Sequence, residues 1–146
     1  MKRTVFVVRG VAGSGKSFKA QQIQQTAEDQ GLTSVSLSAD ENIYRGGFAP
    51  HKVAPAYAHC LVECMSALQQ DIDVVVVHNT FACMWEYEAY KKLAELCRYD
   101  FRVVTMPCNS VEECKAFSER SSRSVPLHST VNTFLRFESD PAETHF

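Results

Sequence analysis

The stretch GVAGSGKS, residues 10–17, decides the fold, because it follows an apolar run at residues 4–8 and opens a segment with helical spacing. It matches the pattern GxxxxGK[ST], in which glycines let the backbone turn inward on phosphate oxygens. Its position between a predicted strand and a predicted helix favours this interpretation over a glycine-rich turn without a ligand. The sequence therefore predicts a P-loop that holds the phosphates of a nucleotide.

Each part of this loop has a predicted task. Lys16 reaches the outer phosphates, and the hydroxyl of Ser17 ligates Mg²⁺. The residues predicted to contact the nucleotide are Gly10, Ala12, Gly13, Ser14, Gly15, Lys16 and Ser17. The loop does not name the reaction, because motors, switches and kinases all use it.

Four short runs rich in β-branched residues alternate with segments of helical spacing. The runs are residues 4–8, 34–37, 73–77 and 101–106. Such alternation predicts an α/β fold of the P-loop NTPase, kinase type, with a mostly parallel sheet of about four strands between helices. The third run has no polar residue after Asp73, as expected of a strand that is covered on both faces.

The helical segments carry apolar residues three and four positions apart. The predicted buried faces are Ala20, Ile23 and Ala27, then Ala58, Leu61, Val62, Met65 and Leu68, then Tyr90, Leu93 and Cys97. Two further helices, at residues 111–119 and 126–137, are predicted to form a helical lid. Residues 41–55 contain two glycines and two prolines and are predicted to form a long irregular connection.

The composition is that of one compact domain. With 146 residues, 45% of them hydrophobic, we expect a single domain at residues 1–138 and a loosely ordered tail at 139–146. A net charge of −2 argues against a protein that coats long nucleic acid. The six cysteines lack metal-ligand spacing and are expected to be reduced. Reduced thiols predict a cytoplasmic protein. We also expect no signal peptide and no membrane span.

A carboxylate pair, Asp40 and Glu41, comes directly after the second predicted strand. Ligands of open parallel sheets bind at the carboxyl edge of the strands. A carboxylate there can take the proton of an attacking hydroxyl, as in phosphoryl transfer. Asp40 is the candidate for this task, with a helix cap or a solvated turn as the alternative, and Glu41 is expected to be a spectator.

Five segments, in this order, carry a resemblance to a known family: RGVAGSGKS, SADENIY, AHCLVEC with His59, VVVVHNTF and RSSRSVP. The resemblance covers about residues 3–137, and the order of the five segments is more specific than any one of the later motifs. The chain resembles the polynucleotide kinase family of P-loop phosphotransferases, which contains the kinase domain of phage polynucleotide kinase and related AAA-type ATP-binding kinases.

The resemblance implies roles for matching residues. Asp40 stands where the family has the general base that activates the acceptor hydroxyl, and Arg120 where a lid arginine contacts the donor phosphates. Arg123 is a second expected phosphate contact, although relatives often carry His or Lys there. From the sequence alone, both arginines fit a solvated helix end equally. The implied donor and cofactor are ATP and Mg²⁺, with Ser17 and Asp40 supporting the metal.

One position departs from the family. Relatives carry an aspartate at the end of the third strand, where this chain has His78, and neutral imidazole is a poor ligand for a hard cation. His78 can instead hydrogen-bond a phosphate or the acceptor, or be a packed core histidine. The candidate acceptor-site residues are His78, Asn79, Thr80, Tyr44 and Arg45.

Three hypotheses for function follow. The first is an ATP-dependent kinase that phosphorylates a hydroxyl of nucleic acid, most simply a 5′-hydroxyl end. Aromatic residues near the acceptor loop, Tyr44 and Phe48, can stack a terminal base, or can simply pack the loop. The second keeps the chemistry but takes a nucleoside, a hydroxymethylated DNA base or a small metabolite as acceptor. The third is a nucleotide-binding module with impaired catalysis, prompted by His78.

Overall fold

The computed structural model describes residues 2–44, 46–121 and 125–144, except for the side chains of residues 41, 42 and 44. The strands within these ranges are β1 (Thr4–Arg9), β2 (Ser34–Leu37), β3 (Val74–Asn79) and β4 (Asp100–Thr105). They form one sheet in the order β2-β3-β1-β4, and every pairing is parallel. The predicted α/β class and the four predicted strands are confirmed.

Strand β1 lies between two neighbours and all six of its residues are buried. Its last residue, Arg9, pairs with Asn79 of β3 and with Thr105 of β4. The carboxyl ends of the strands therefore meet at one edge of the sheet. The segments that follow β1, β2 and β3 emerge at this edge, which is where parallel sheets bind ligands.

The helices of the described ranges are α1 (Lys16–Asp29), α2 (Ala39–Tyr44), α3 (Val53–Gln69), α4 (Glu88–Leu96), α5 (Val111–Arg120) and α6 (Leu127–Leu135). Short 3-10 turns lie at Pro50–Lys52 and Met84–Tyr87. Helices α5 and α6 correspond to the predicted lid helices. The predicted irregular connection at residues 41–55 is wrong in part, because α2 occupies its start and a 3-10 turn followed by α3 occupies its end.

Two layers of helix cover the sheet. Helix α1 packs on one face through Ala20, Ile23 and Ala27, as the sequence predicts. Helices α3 and α4 pack on the other face, in a core that includes Val5, Val7, Val75 and Val77 of the central strands. Because both faces are covered, the side chains of these strands are apolar in succession.

The predicted buried face of α3 is wrong in part: Leu68 is buried and Leu61 is partly buried against the core, but Ala58, Val62 and Met65 are exposed. Its buried residues are Ala56, Cys60, Cys64, Ala67 and Leu68. Val62 and Met65 are 60% and 41% exposed. Small side chains, spaced three or four residues apart, let the helix lie close to the sheet, and the larger side chains of Val62 and Met65 are left outside. In α4, Tyr90 and Ala94 are buried as part of a similar face, while Cys97 is exposed.

All six cysteines are free thiols, and Cys60, Cys64 and Cys114 are buried. Burial raises the pKa of the Cys64 thiol to about 12, so this side chain is a neutral core residue at physiological pH. None of the helices in the described part of the chain has the length and apolar character needed to cross a bilayer.

Residues 139–144 contact the body of the domain. The hydroxyl of Tyr87 donates a 2.7 Å hydrogen bond to Asp140 Oδ2, and the backbone N–H of Thr144 donates to the carbonyl of Val103. These contacts lay the segment beside the last strand of the sheet. Loose order of the tail stays a prediction, and residues 145 and 146 lie outside the described ranges.

Candidate active site

The loop after β1 is shaped by its glycines and by the lid. Gly13 has φ +78°, and a Cβ on it would lie 2.1 Å from the carbonyl oxygen of Phe117 in α5. A Cβ on Gly10 would lie 2.5 Å from Ser14 Oγ and 2.9 Å from Met106 Cβ. Gly15 takes the N-cap position of α1, at φ +95°. Larger residues would push the loop away from the lid and the neighbouring strand end.

The inside of the loop suits an anion. Lys16 is buried, and its Nζ donates to the carbonyl of Val11 at 3.1 Å, across the loop. Ser14 Oγ is buried without a hydrogen-bond partner among the described residues. The first turn of α1 carries no acidic residue. An unpaired hydroxyl, a buried ammonium and a helix N-terminus converge here, as a bound phosphate requires.

Arg120 lies on the outer side of the same loop. Its Nε donates a 2.8 Å hydrogen bond to the carbonyl of Gly13, and its guanidinium stacks 4.4 Å from the ring centre of Phe117. A groove of about 200 Å³ runs between this arginine and the start of α1, lined by Gly13, Gly15, Lys16, Ser17, Phe18, Arg120 and Ser121. The structure thus brings the predicted lid arginine to the predicted phosphate loop.

Asp40 is the second residue of α2 and is 7% exposed. Thr80 Oγ1 donates to its carboxylate at 3.4 Å. The cap of this helix is a different residue, Asn79, whose Oδ1 accepts from the backbone N–H groups of Ala39 at 2.8 Å and of Asp40 at 3.2 Å. The alternative that Asp40 serves as a helix cap is therefore excluded.

Asn79 itself is fully buried. Its amide oxygen also accepts from Ser38 Oγ at 3.3 Å, and its amide nitrogen donates to Cys60 Sγ at 3.9 Å. The predicted acceptor-site residue is thus turned toward α2 and α3. It holds the start of α2, and with it Asp40, against the end of β3.

A small chamber brings the two sides of the predicted site together. It has a volume of about 70 Å³, and its walls are Ala12, Lys16, Asp40, Thr80, Val125, Ser129, Thr130 and Thr133. We call this space the transfer chamber. The loop lysine and the candidate base face the same space, and α6 closes it from above. A larger cavity of about 340 Å³ is lined in part by Phe134 of α6 and by Phe137 just beyond its end, and neither Lys16 nor Asp40 lines it.

The α6 residues that line the transfer chamber were not predicted from the sequence. Ser129, Thr130 and Thr133 share one side of that helix, at positions i, i+1 and i+4. The only sequence pattern that could have identified them is the spacing of these three hydroxyl residues. It is weak, because the same pattern fits a solvated helix face.

A second residue that the sequence does not reveal is Arg9. Its guanidinium is fully buried, donates to the carbonyls of Phe81 at 3.0 Å and Ala82 at 2.9 Å, and lies 4.3 Å from the ring centre of Phe137. Phe81 has φ +44°, a strained value for a large side chain. Arg9 therefore holds the strained turn after β3, next to the residue that contacts Asp40.

His78 is 4% exposed and lies on β3. Because side chains alternate along a strand, it faces the same side of the sheet as Val74 and Val76, which pack with α1. It is not among the described residues that line the transfer chamber or the groove beside Arg120. Its predicted roles, a hydrogen bond to a phosphate or the acceptor or packing in the core, stay predictions.

Some predicted site residues fall outside what the structure describes. They are Arg45, Arg123 and the side chain of Tyr44. Phe48, the other aromatic candidate, is 58% exposed. His59 is exposed on α3, where it contacts Glu63.

Comparison with solved structures shows the fold. A protein of the Pnkp1/Rnl/Hen1 RNA repair complex superposes with a TM-score of 0.63 at 14% identity, over 93% of this chain and 44% of that chain. The Mycobacterium tuberculosis APS kinase CysC in complex with AMPPNP and APS gives 0.61 at 19% identity, over 82% and 70% of the two chains. A gluconokinase from Sinorhizobium meliloti gives 0.61 at 18% identity, over 96% and 78%.

This chain therefore has the fold of the P-loop kinases, and it spans less than half the length of the RNA repair protein. No protein-family model and no curated protein sequence matches it. The similar structures come from proteins of RNA repair, APS and gluconate chemistry, so the fold is compatible with several kinds of acceptor.

Proposed function

We propose that this protein is an ATP-dependent kinase that transfers the γ-phosphate to a hydroxyl of a nucleic acid, most simply a 5′-hydroxyl polynucleotide end. The observation that carries the proposal is the transfer chamber, whose walls include both Lys16 of the phosphate loop and Asp40. Phosphoryl transfer needs a donor phosphate and a proton acceptor on opposite sides of one small space.

In this reaction the loop backbone and Lys16 hold the donor phosphates. Asp40 takes the proton of the acceptor hydroxyl, whose oxygen forms a bond to the γ-phosphorus while the bond from that phosphorus to the β-phosphate oxygen breaks. ADP then leaves with the electron pair of the broken bond. Arg120, already in contact with Gly13, adds positive charge beside the phosphates.

The residues at the site fit Mg²⁺. Ser17 follows the loop lysine, and Asp40 lies in the adjoining chamber, so a hydroxyl and a carboxylate oxygen are present, as a hard cation requires. When bound, the ion supplies charge neutralisation to the phosphates. These two residues are the proposed metal-supporting pair.

Two lines of argument support a nucleic-acid acceptor. The five ordered motifs resemble the polynucleotide kinase family, and one of the similar structures comes from an RNA repair complex. In addition, Phe48 is 58% exposed on the connection between α2 and α3, where its ring can stack on a base.

A small-molecule acceptor is the second candidate. The observation in its favour is the charge of the chamber wall, where Lys16 is the single cationic side chain among the described lining residues. A polynucleotide acceptor brings several phosphates, which usually meet lysines and arginines. The third candidate, a nucleotide-binding module with impaired catalysis, rests on His78 in place of an aspartate.

Incubation with γ-labelled ATP and Mg²⁺ separates the three candidates. The acceptors are 5′-hydroxyl DNA and RNA oligonucleotides, DNA with hydroxymethylated bases, nucleosides and small polyols, with 5′-phosphorylated oligonucleotides as the matched control. We expect label on the 5′-hydroxyl oligonucleotides alone. Label restricted to nucleosides or polyols contradicts the nucleic-acid acceptor, and ATP binding without transfer to any acceptor supports the module.

A further inference from the structure

Three residues of helix α6 that carry hydroxyl groups line the transfer chamber, and one of them, Thr130, has an unusual environment. Thr130 is 1% exposed, and its Oγ1 is buried without a hydrogen-bond partner in the described part of the chain. Thr133, one turn further on, donates to the carbonyl of Ser129 at 2.9 Å. The two threonines share a helix face, but only Thr133 has its hydrogen bond satisfied within the helix.

An unpaired buried hydroxyl is costly. Leaving such a group without a partner costs about 1–3 kcal/mol relative to pairing it. A valine has the same shape without the polar atom and would pack at this position at no such cost. Because Thr130 occupies this position in spite of the cost of its unpaired hydroxyl, we expect the hydroxyl to find its partner in a molecule that is bound during the reaction.

The surroundings of Thr130 identify the kind of partner. The chamber wall also holds Lys16, a donor whose charge suits an anion, and Asp40, an acceptor that already receives the hydroxyl of Thr80. A threonine hydroxyl can donate one hydrogen bond, and it does so most strongly to a charged oxygen. The chamber, of about 70 Å³, has room for a small anionic group.

We propose that Thr130 donates a hydrogen bond to a non-bridging oxygen of the phosphoryl group as it passes from ATP to the acceptor. This inference rests on the proposed kinase function, and it adds α6 to the phosphate loop, α2 and α5 as an element that contacts the reacting groups. The hydrogen bond forms where charge is held in the transition state, so it lowers the barrier without strengthening ATP binding.

A pair of variants tests the inference. Thr130→Val removes the hydroxyl and keeps the shape, while Thr130→Ser keeps the hydroxyl and removes a methyl group. We expect Thr130→Val to unfold at the same urea concentration as the parent or a higher one, and to lose on the order of 10²-fold in kcat with KM for ATP within threefold. We expect Thr130→Ser to be less stable and yet to keep most of its kcat.

Binding measurements make the test independent of the acceptor. We expect aluminium fluoride, a mimic of the phosphoryl group in transfer, to tighten Mg²⁺-ADP binding to the parent and to Thr130→Ser. In Thr130→Val we expect at least a tenfold loss of this tightening, with ADP binding in the absence of fluoride unchanged. Ser34→Ala is the control, because Ser34 Oγ is also buried and unpartnered but lies at the start of β2, at the opposite edge of the sheet.

The outcomes are distinguishable. Equal tightening in Thr130→Val and the parent overturns the inference while the kinase function stands. Weaker binding of ADP alone to Thr130→Val also overturns it, because the hydroxyl would then serve the donor in its ground state. A parent protein that binds no nucleotide at all contradicts the proposed function, and the inference fails with it.

Discussion

Asp40 depends for its position on two residues at the end of β3, Asn79 within the strand and Thr80 directly after it. Thr80 donates to its carboxylate, and Asn79 accepts from its backbone N–H. Together they fix both the side chain and the main chain of one residue at the edge of the sheet. A carboxylate held in this way can take a proton from a hydroxyl without first reorganising.

The first prediction concerns this carboxylate. Asp40→Asn keeps the size and the contact with Thr80 but removes the basic oxygen, so we expect the transfer rate to fall about 10²–10⁴-fold. Asp40 lies across the chamber from the loop, and we expect the dissociation constant for ATP to stay within twofold. Steady-state kinetics and equilibrium titration with ATP measure the two quantities.

Glu28→Gln is the matched control for this variant, because it neutralises an exposed carboxylate at the far end of α1. It is expected to match the parent in both measurements. If Asp40→Asn transfers phosphate as fast as the parent, the proton is accepted elsewhere and Asp40 has no part in the chemistry.

At the scale of elements, the short helix α2 shows how the site is assembled. It has six residues, too few to be stable in isolation, and its first backbone N–H groups are capped from β3 by Asn79. The helix that carries Asp40 is therefore kept in place by a side chain almost forty residues away in the sequence.

The second prediction follows from this cap. Asn79→Leu leaves the N–H groups of Ala39 and Asp40 without an acceptor, and we expect the free energy of unfolding to fall by about 1–3 kcal/mol. Because α2 then shifts, we expect kcat to fall while the affinity for ATP is kept. Urea unfolding and steady-state kinetics measure the two effects.

Asn79→Asp is the conservative counterpart, since a carboxylate oxygen can accept the same two hydrogen bonds. We expect it to lose less stability and less activity than Asn79→Leu. Loss of stability in Asn79→Leu without loss of kcat would make the cap a purely structural feature.

The same elements show what the sequence can and cannot predict. Helix α1 and the phosphate loop are continuous in sequence, so a local pattern suffices to find them. The face of α3 is mispredicted in part because apolar character does not reveal that small residues such as Cys60 and Cys64 must face the sheet. Asn79, Arg9 and Thr130 have roles that arise only from contacts between distant segments, which no local pattern encodes.

At the scale of the molecule, the sheet order explains where the site forms. Strand β1 is central, and the segments after β1, β2 and β3 reach the same edge from separate parts of the chain. The lid helices α5 and α6 then close over that edge, with Arg120 on the loop and Thr130 on the chamber. Binding of ATP at this edge would therefore link the loop, the lid and the core, and ought to stabilise the whole domain.

The third prediction tests this linkage. A ligand that binds only the folded state at 100 times its dissociation constant adds about 2.7 kcal/mol to the free energy of unfolding. For a domain of this size that raises Tm by on the order of 5–10 °C. We expect Mg²⁺-ATP to produce such a Tm shift in the parent. We expect Lys16→Ala to lose most of this shift and its transfer activity, because the variant lacks the buried ammonium group proposed to hold the phosphates.

Lys92→Ala is the matched control, since it removes an exposed lysine of α4 on the opposite side of the fold from α1. It is expected to show the full shift of the parent. A parent protein whose Tm is indifferent to millimolar ATP would contradict nucleotide binding at the loop. A full Tm shift in Lys16→Ala would instead show that ATP still binds and that Lys16 does not contribute to its binding. Differential scanning fluorimetry with and without Mg²⁺-ATP distinguishes these cases, because each predicts a different pattern across the three proteins.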